Sequence, residues 1–398
     1  MNKEKYCPKP NEREINELLS KKLDTFVYLD SNSTHPVLDS VKEKINEAYN
    51  KIGNPSSRHI AGKITRAYVE KSREVIANFL SVKKENIYFF SSGTESNNLI
   101  IKGVALKYFF DSTIKDKHFI FSSIEHKSVL NNIYFLEKLG AKISLVKPDS
   151  KTGSITIDAI EKVVNNNTCL VSIMSVNNET GVINDIEKIS NELKKINKNI
   201  LIHSDMAQHL GEAPLFDINV LDFATFVPHK FGGPIGVSVS FIKDENKIYP
   251  ILDGGHQENG IRPGTYNAPL IYGTGMAFSE LKTLNDVDII EKKRYLENEL
   301  LKRNCVINFY ESKRNYSTIS VTFNFNVNRF IDYLSENGVF ISSGSACNSN
   351  ENKPSYVLLE CGLSEDACRK TARIGLNRFN TIDEINYFIN LLDKYKGD

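Results

Sequence analysis

Residues 87–122 read IYFFSSGTESNNLIIKGVALKYFFDSTIKDKHFIFS. Ile87–Phe90 is a short β-branched and aromatic run, SSGTES is a polar turn, a helical run begins near Ser96, and His118–Ser122 is a second run of strand character. Strand, helix and strand in succession form the repeating unit of a parallel α/β sheet. Outward from this unit the alternation extends over Asn54 to Lys243, with strand candidates at Ile143–Val146, Cys169–Ser175, Ile200–His203, Phe223–Phe226 and Val237–Ile242. An amphipathic helix is expected over Arg58–Leu80, where Ile60, Ile64, Ala67, Val75 and Phe79 roughly keep one face. The fold class is therefore α/β, built on a large, mostly parallel sheet.

Beyond Gly275 the pattern changes to a charged helix (Ile289–Lys302), two strand-like runs (Val306–Tyr310 and Thr318–Phe325) and a helix over Arg329–Asn337. The C-terminal helix opens on a capping box, Thr381 and Glu384, with Ile385, Phe388, Ile389 and Leu392 on one face. The expected division is a large α/β domain over 28–275 and a smaller α+β domain over 276–398, with residues 1–27 an N-terminal arm joining the small one.

The chain has 398 residues, 40% hydrophobic and 25% charged, enough for a well-buried core. Lys+Arg 50 against Asp+Glu 49 leaves a formal charge of +1, so no global field gathers nucleic acid or an anionic membrane. No apolar run approaches the ~20 residues of a membrane span, and MNKEKYCPKPNERE has no apolar signal core. A cytoplasmic location is expected. The 6 cysteines include no C-x-x-C pair, so neither a zinc site nor a dithiol motif is indicated. No metal is expected.

A parallel sheet binds its ligand outside the carboxyl ends of its strands. There the chain carries SSGTES, IEHKS, VNNETG, SDMAQ and VPHK, all short and polar. Lys230, after an apolar strand and before Phe231-Gly232-Gly233, is either a solvated surface residue or a semi-buried amine able to attack a carbonyl. Ser91-Ser92-Gly93-Thr94-Glu95 fits an anion cup at a helix N-terminus, or simply a helix start. Asp205 ends a strand, where it would pair with a protonated pyridine nitrogen or cap a helix, and His126 is either packed or an aromatic lid and proton shuttle. Lysine, aspartate, histidine and anion cup together are far more specific than any one of them.

These residues lie in blocks that resemble the pyridoxal-phosphate (PLP) cysteine desulfurases, class-V enzymes of fold type I. The blocks are YLDSNSTHPV, GNPSSRHIAG, FFSSGTESNN, SSIEHKSV, VSIMSVNNETGVI, HSDMAQHLG, PHKFGGPIG, GIRPGT, SSGSACNSNENKPSYVL and ARIGLNRF, in order over about Tyr28 to Asn390. The resemblance implies a PLP cofactor held covalently by Lys230, with Asp205 on its ring nitrogen and His126 stacked on the ring. It implies Gln208 and Asn178 on the phenolate oxygen, Gly93, Thr94 and His229 at the phosphate, and Thr265 reaching the phosphate of a second subunit in a homodimer with shared sites. Arg373 would clamp the substrate carboxylate beside Asn178, a task suited to a planar guanidinium. Cys347, among Ser, Gly and Asn, would be the nucleophile that takes sulfur from L-cysteine as a persulfide and passes it to a protein acceptor. Its spacing to PSYVL resembles the longer-loop group, which delivers to scaffold or carrier proteins directly.

The chain departs from the family pattern at several positions. Ser31-Asn32-Ser33 and His35 replace Asn-Ala-Ala and Thr; Ile235, Asn259 and Pro263 replace Lys, Arg and Ser. The cup glycine is shifted to Gly93, with Ser92 in the usual glycine position. Val227 replaces a phosphate-binding serine, so Thr225 or a backbone N–H would have to compensate. Other class-V chemistry (a selenocysteine lyase, a C–S lyase, an aminotransferase) and a non-catalytic sulfur-transfer scaffold are the alternatives. Cys361 and Cys368, seven apart in CGLSEDAC, are expected to be structural and to share one helical face.

Overall fold

The computed structural model describes residues 11–20, 26–344 and 354–397. In chain order its strands are β1 (Val27–Tyr28), β2 (Ile87–Phe90), β3 (His118–Ser122), β4 (Lys142–Val146), β5 (Thr168–Ser172), β6 (Leu201–Asp205), β7 (Phe223–Phe226), β8 (Ser238–Ile242), β9 (Val306–Ile307), β10 (Thr318–Thr322), β11 (Val339–Phe340) and β12 (Thr371–Gly375). The main sheet has 7 strands in the order β2-β8-β7-β6-β5-β3-β4. Only β8 runs against the rest, since it is antiparallel to both β2 and β7 while the other pairings are parallel.

Alternate residues of each strand feed opposite faces of this sheet. Ile87, Phe89, Ile120, Val171 and Phe241 enter one core with the helices Ile60–Leu80, Ile186–Ile196 and Ala268–Glu280. Tyr88, Phe90, Phe119, Phe121 and Leu170 enter the other with Gly93–Phe110 and Ile133–Leu139. The result is a helix–sheet–helix sandwich. A second core packs the antiparallel sheet β12-β10-β9 against the helices Asp286–Lys302, Val327–Glu336 and Ile382–Lys394, and takes in Val27 and Leu29 beside the parallel pair β1 and β11.

The long helix differs from expectation in which side it buries. Ile60 and Ile64 are 72% and 41% exposed, and Ala67 is exposed too. The buried face is Thr65, Val69, Ser72, Arg73, Ile76 and Leu80, because the neighbouring helix approaches through Gly275. A Cβ at Gly275 would lie 2.8 Å from Ser72 Oγ, so small residues set the packing distance and polar ones are enclosed. Arg73 is then paired with the buried Glu258 at 2.6 Å. TARIG, not anticipated as a strand, is β12. CGLSEDAC is not one helix: Tyr356–Glu360 ends at Cys361 and Glu365–Arg369 begins after a turn. Cys361 and Cys368 are both buried and free.

The C-terminal helix is as expected, with the reciprocal capping box at Thr381 and Glu384 formed and Ile385, Phe388, Ile389 and Leu392 buried. Thr381→Ala removes the acceptor for the Glu384 N–H, 3.2 Å away, and is expected to cost about 1 kcal/mol, read as a lower urea midpoint with an unchanged slope.

Candidate active site

The main sheet's carboxyl ends open on a cavity of about 280 Å³. Lys230, Asp205, His126, Gln208 and Asn178 line it, as do Gly93, Thr94, His229 and Arg373. Thr265 does not: it is exposed on the loop after Gly264, whose N–H donates to Gln257 Oε1 at 3.1 Å. That loop is tied to the cup from outside by Arg262 Nε, 2.9 Å from Glu95 Oε1. Burial pushes Glu95 up, but the bonds from Arg262 and Ser91 outweigh it and hold the carboxyl below its usual range. Cys347 lies outside the described residues.

Lys230 follows β7 in a single tight turn. Its Nζ donates to the carbonyl oxygens of Asn32 and Ser33, each at 2.6 Å. His229 beside it has Nδ1 3.2 Å from Thr34 Oγ1. Burial and, after it, the Lys230 charge push His229 down to about 4, so the imidazole is neutral at ordinary pH. Asp205 is the last residue of β6 and 7% exposed; Oδ1 accepts the Ala207 N–H at 3.0 Å and Oδ2 accepts from Asn97 Nδ2 at 2.8 Å. His126 caps a short helix: Nδ1 accepts the Ser128 N–H at 3.1 Å, which leaves the proton of the neutral ring on Nε2.

Arg373 on β12 reaches in from the smaller sheet, with Nη2 2.6 Å from Asp30 Oδ1 and 2.7 Å from Ser33 Oγ, and Nη1 3.0 Å from the Asn178 carbonyl oxygen. Gln208 makes both amide bonds to Asn32, donating to its carbonyl at 2.9 Å and accepting from Nδ2 at 3.1 Å. Asn97 and Ser128 are thus site residues that sequence reasoning missed, whereas Asn32 and Ser33, noted as departures that change packing beside the cofactor, line the cavity itself. Asn97 carried a signal, standing one helical turn beyond Gly93. That Asn32 and Ser33 would bond Gln208, Lys230 and Arg373 carried none, because those partners are far away in sequence.

Among the described residues, no cluster of three or more His, Cys, Asp or Glu could hold a metal. No helix there is long and apolar enough to cross a membrane.

Residues 27–388 match the family described as aminotransferase class-V. The chain belongs to this family. It is 36% identical over 377 residues to the cysteine desulfurase IscS of Dictyoglomus turgidum, spanning 92% of this chain and 94% of that protein. The mitochondrial cysteine desulfurase of Drosophila melanogaster is also 36% identical, over 91% of this chain and 79% of its own. Among solved structures, a NifS-like protein aligns with a TM-score of 0.85 at 33% identity, covering 93% and 99% of the two chains. A structure titled SspA in complex with cysteine aligns at 0.77 and 33% identity, covering 90% and 100%. Class-V enzymes use PLP, and the donor set here fits it. The cavity holds a helix N-terminus for a phosphate, a buried carboxylate for a ring nitrogen and an amine for an aldehyde.

Two departures of this class-V chain meet in the cup. Val227 lies against Gly93 so closely that a Cβ there would be 2.7 Å from Val227 Cγ2. Thr225 does not supply the missing hydroxyl: it is fully buried, with Oγ1 3.4 Å from His203 Nε2. The helix start therefore offers the Gly93 and Thr94 N–H groups, which have no intrahelical partners. Ser92 Oγ accepts the Glu95 N–H at 3.2 Å.

Gly93→Ala is expected to weaken PLP binding about tenfold through overpacking, and Val227→Ala to restore it in the double variant, read by titrating the cofactor-free protein. Burial also pushes His203 and His209 down to about 4. With His229, three imidazoles are pushed from their ordinary 6.5 to about 4. Their contribution to stability is complete above 6.5 and lost as pH falls through 4. The urea midpoint is expected to drop across that window, less steeply in His209→Gln.

Proposed function

We propose that the protein is a cysteine desulfurase that removes sulfur from L-cysteine, releases L-alanine and carries the sulfur as a persulfide on Cys347. The observation that carries this reading is the convergence of Lys230, Asp205, His126 and Arg373 on one cavity, in a chain more than a third identical to desulfurases. PLP bound there supplies an electron sink for the substrate Cα. Lys230 would hold the cofactor and move the Cα proton; Asp205 would keep the ring nitrogen protonated; His126 would cover the ring and relay protons. Gln208 and Asn178 serve the phenolate side, and Thr94, Gly93 and His229 the phosphate. Arg373 takes the substrate carboxylate, exchanging its bond to Asp30 or Ser33 for one to the substrate.

The Cys347 thiolate attacks the substrate sulfur, forming an S–S bond as the Cβ–S bond breaks. The bonding pair stays on Cβ, which takes a proton and becomes the methyl group of alanine. Sulfur is oxidised and carbon reduced by the same pair, so no outside oxidant is needed.

The same proposal has a large PLP-binding domain over 28–275, a small domain over 276–398 and an arm over 1–27. It also has a cytoplasmic homodimer in which Thr265 completes the partner's site, and a protein acceptor for the persulfide. Support for the dimer comes from the surface near Thr265. Ser56 Oγ joins Gln257 Nε2 at 3.3 Å, and the adjoining helix start leaves Ile60 and Ile64 in solvent. Two isoleucines a turn apart in solvent are side chains that a second copy would cover.

Anaerobic incubation with L-cysteine is expected to add one sulfur atom to the intact mass, mapped to Cys347 and absent from Cys347→Ala, with alanine formed. No added sulfur in a protein with full visible cofactor absorbance overturns the reading for L-cysteine.

A further inference from the structure

Asn97 stands on the second turn of the helix Gly93–Phe110 and is fully buried. Its amide nitrogen donates twice, to Asp205 Oδ2 at 2.8 Å and to Ser128 Oγ at 2.9 Å. Ser128 Oγ is in turn 2.8 Å from His126 Nδ1. One amide thus joins the carboxylate and the imidazole that face the cavity.

The polarity of this chain is fixed. An ionised carboxylate only accepts, so the Asn97 NH₂ must face Asp205; His126 Nδ1 accepts the Ser128 N–H, so the Ser128 hydroxyl, which accepts from Asn97, turns its own O–H to that nitrogen. The cost of the arrangement is visible at the other end of the amide. Asn97 Oδ1 is buried without a partner among the described residues, a penalty tolerated only where the two N–H bonds outweigh it. Other titratable groups around Asp205 lean towards their neutral forms, burial pushing Glu125 up and His203 down. Asp205 is instead met by two hydrogen-bond donors, Asn97 Nδ2 at 2.8 Å and the Ala207 N–H at 3.0 Å.

We infer that Asn97 is a positioning residue: it fixes the rotation of the Asp205 carboxylate, keeps it an acceptor for the cofactor's ring nitrogen and, through Ser128, ties it to His126. This rests on the proposed reading that Asp205 meets the ring nitrogen.

The test is the ¹⁵N shift of the ring nitrogen in holoenzyme reconstituted with ¹⁵N-labelled PLP. With Asn97→Leu, similar in volume and without donors, the proton between ring and carboxylate is expected to move to the carboxylate and the shift to move towards neutral pyridine. The kcat for L-cysteine falls about tenfold with KM within twofold. Ser128→Ala, which cuts only the His126 arm, leaves the ring shift in place and alters the His126 imidazole signals. Asn97→Ser, smaller and still able to donate, gives an intermediate ring shift and serves if the leucine variant does not fold. A ring shift unchanged in a folded, fully loaded Asn97 variant overturns the inference. If Asp205→Asn also leaves it unchanged, the ring nitrogen is not at Asp205 and the underlying reading falls instead.

Discussion

The Arg373 guanidinium is the constraint on which the site depends. It is 3% exposed and spans three parts of the chain, reaching Asp30, Ser33 and the Asn178 carbonyl. Its own backbone is pinned from both sides, paired with Ser320 on β10 and bridged to Ser342. A charge enclosed this far is stable only while its partners are in place. The small sheet, the turn after β5 and the segment 30–33 therefore hold a single mutual arrangement, and the cavity is the space between them.

The segment 30–35 is the second half of that constraint. Its carbonyl oxygens at Asn32 and Ser33 receive Lys230, and the Asn32 side chain bonds Gln208 and, at 2.7 Å, Thr318 Oγ1. Gly375 shows how closely the pieces meet, since a Cβ there would fall within van der Waals overlap of the Asn32 amide. Ser31, Asn32 and Ser33 are departures from the family pattern, and all three are used. Ser31 Oγ accepts from Asn377 Nδ2 at 3.0 Å, Asn32 holds Gln208, and Ser33 Oγ accepts from Arg373. A change of packing beside the cofactor was foreseeable; that it would take the form of a polar network was not.

What could be read in the sequence was what local chemistry specifies. Strand runs, the glycine-bounded lysine turn and the Thr381 capping box declare themselves over a few residues, and they fixed the sheet and most of the site. Less legible were features that depend on approach between distant elements. Ile60 and Ile64 are apolar at helical spacing yet lie in solvent, because the small residues Ser72 and Gly275 set which side faces the neighbouring helix. The strand TARIG is too short to announce itself and is defined by its partner β10. Thr265 was legible as a motif, but its exposure gives it nothing to do within its own chain.

Gly93 and Val227 illustrate how two separate oddities become one. Taken singly, a displaced glycine loosens the cup and a valine removes a hydroxyl, and both count against phosphate binding. In the structure they occupy the same space. Valine is stiff at χ1, so its methyl cannot swing away from position 93, and the helix can start there only with no side chain at all. The bare backbone that results leaves the first N–H groups of the helix open to the cavity, which is what an anion requires. The hydroxyl given up at Val227 is thus offset by backbone donors that a larger residue at position 93 would displace. The pair has to be judged as a unit, in which neither change makes sense without the other.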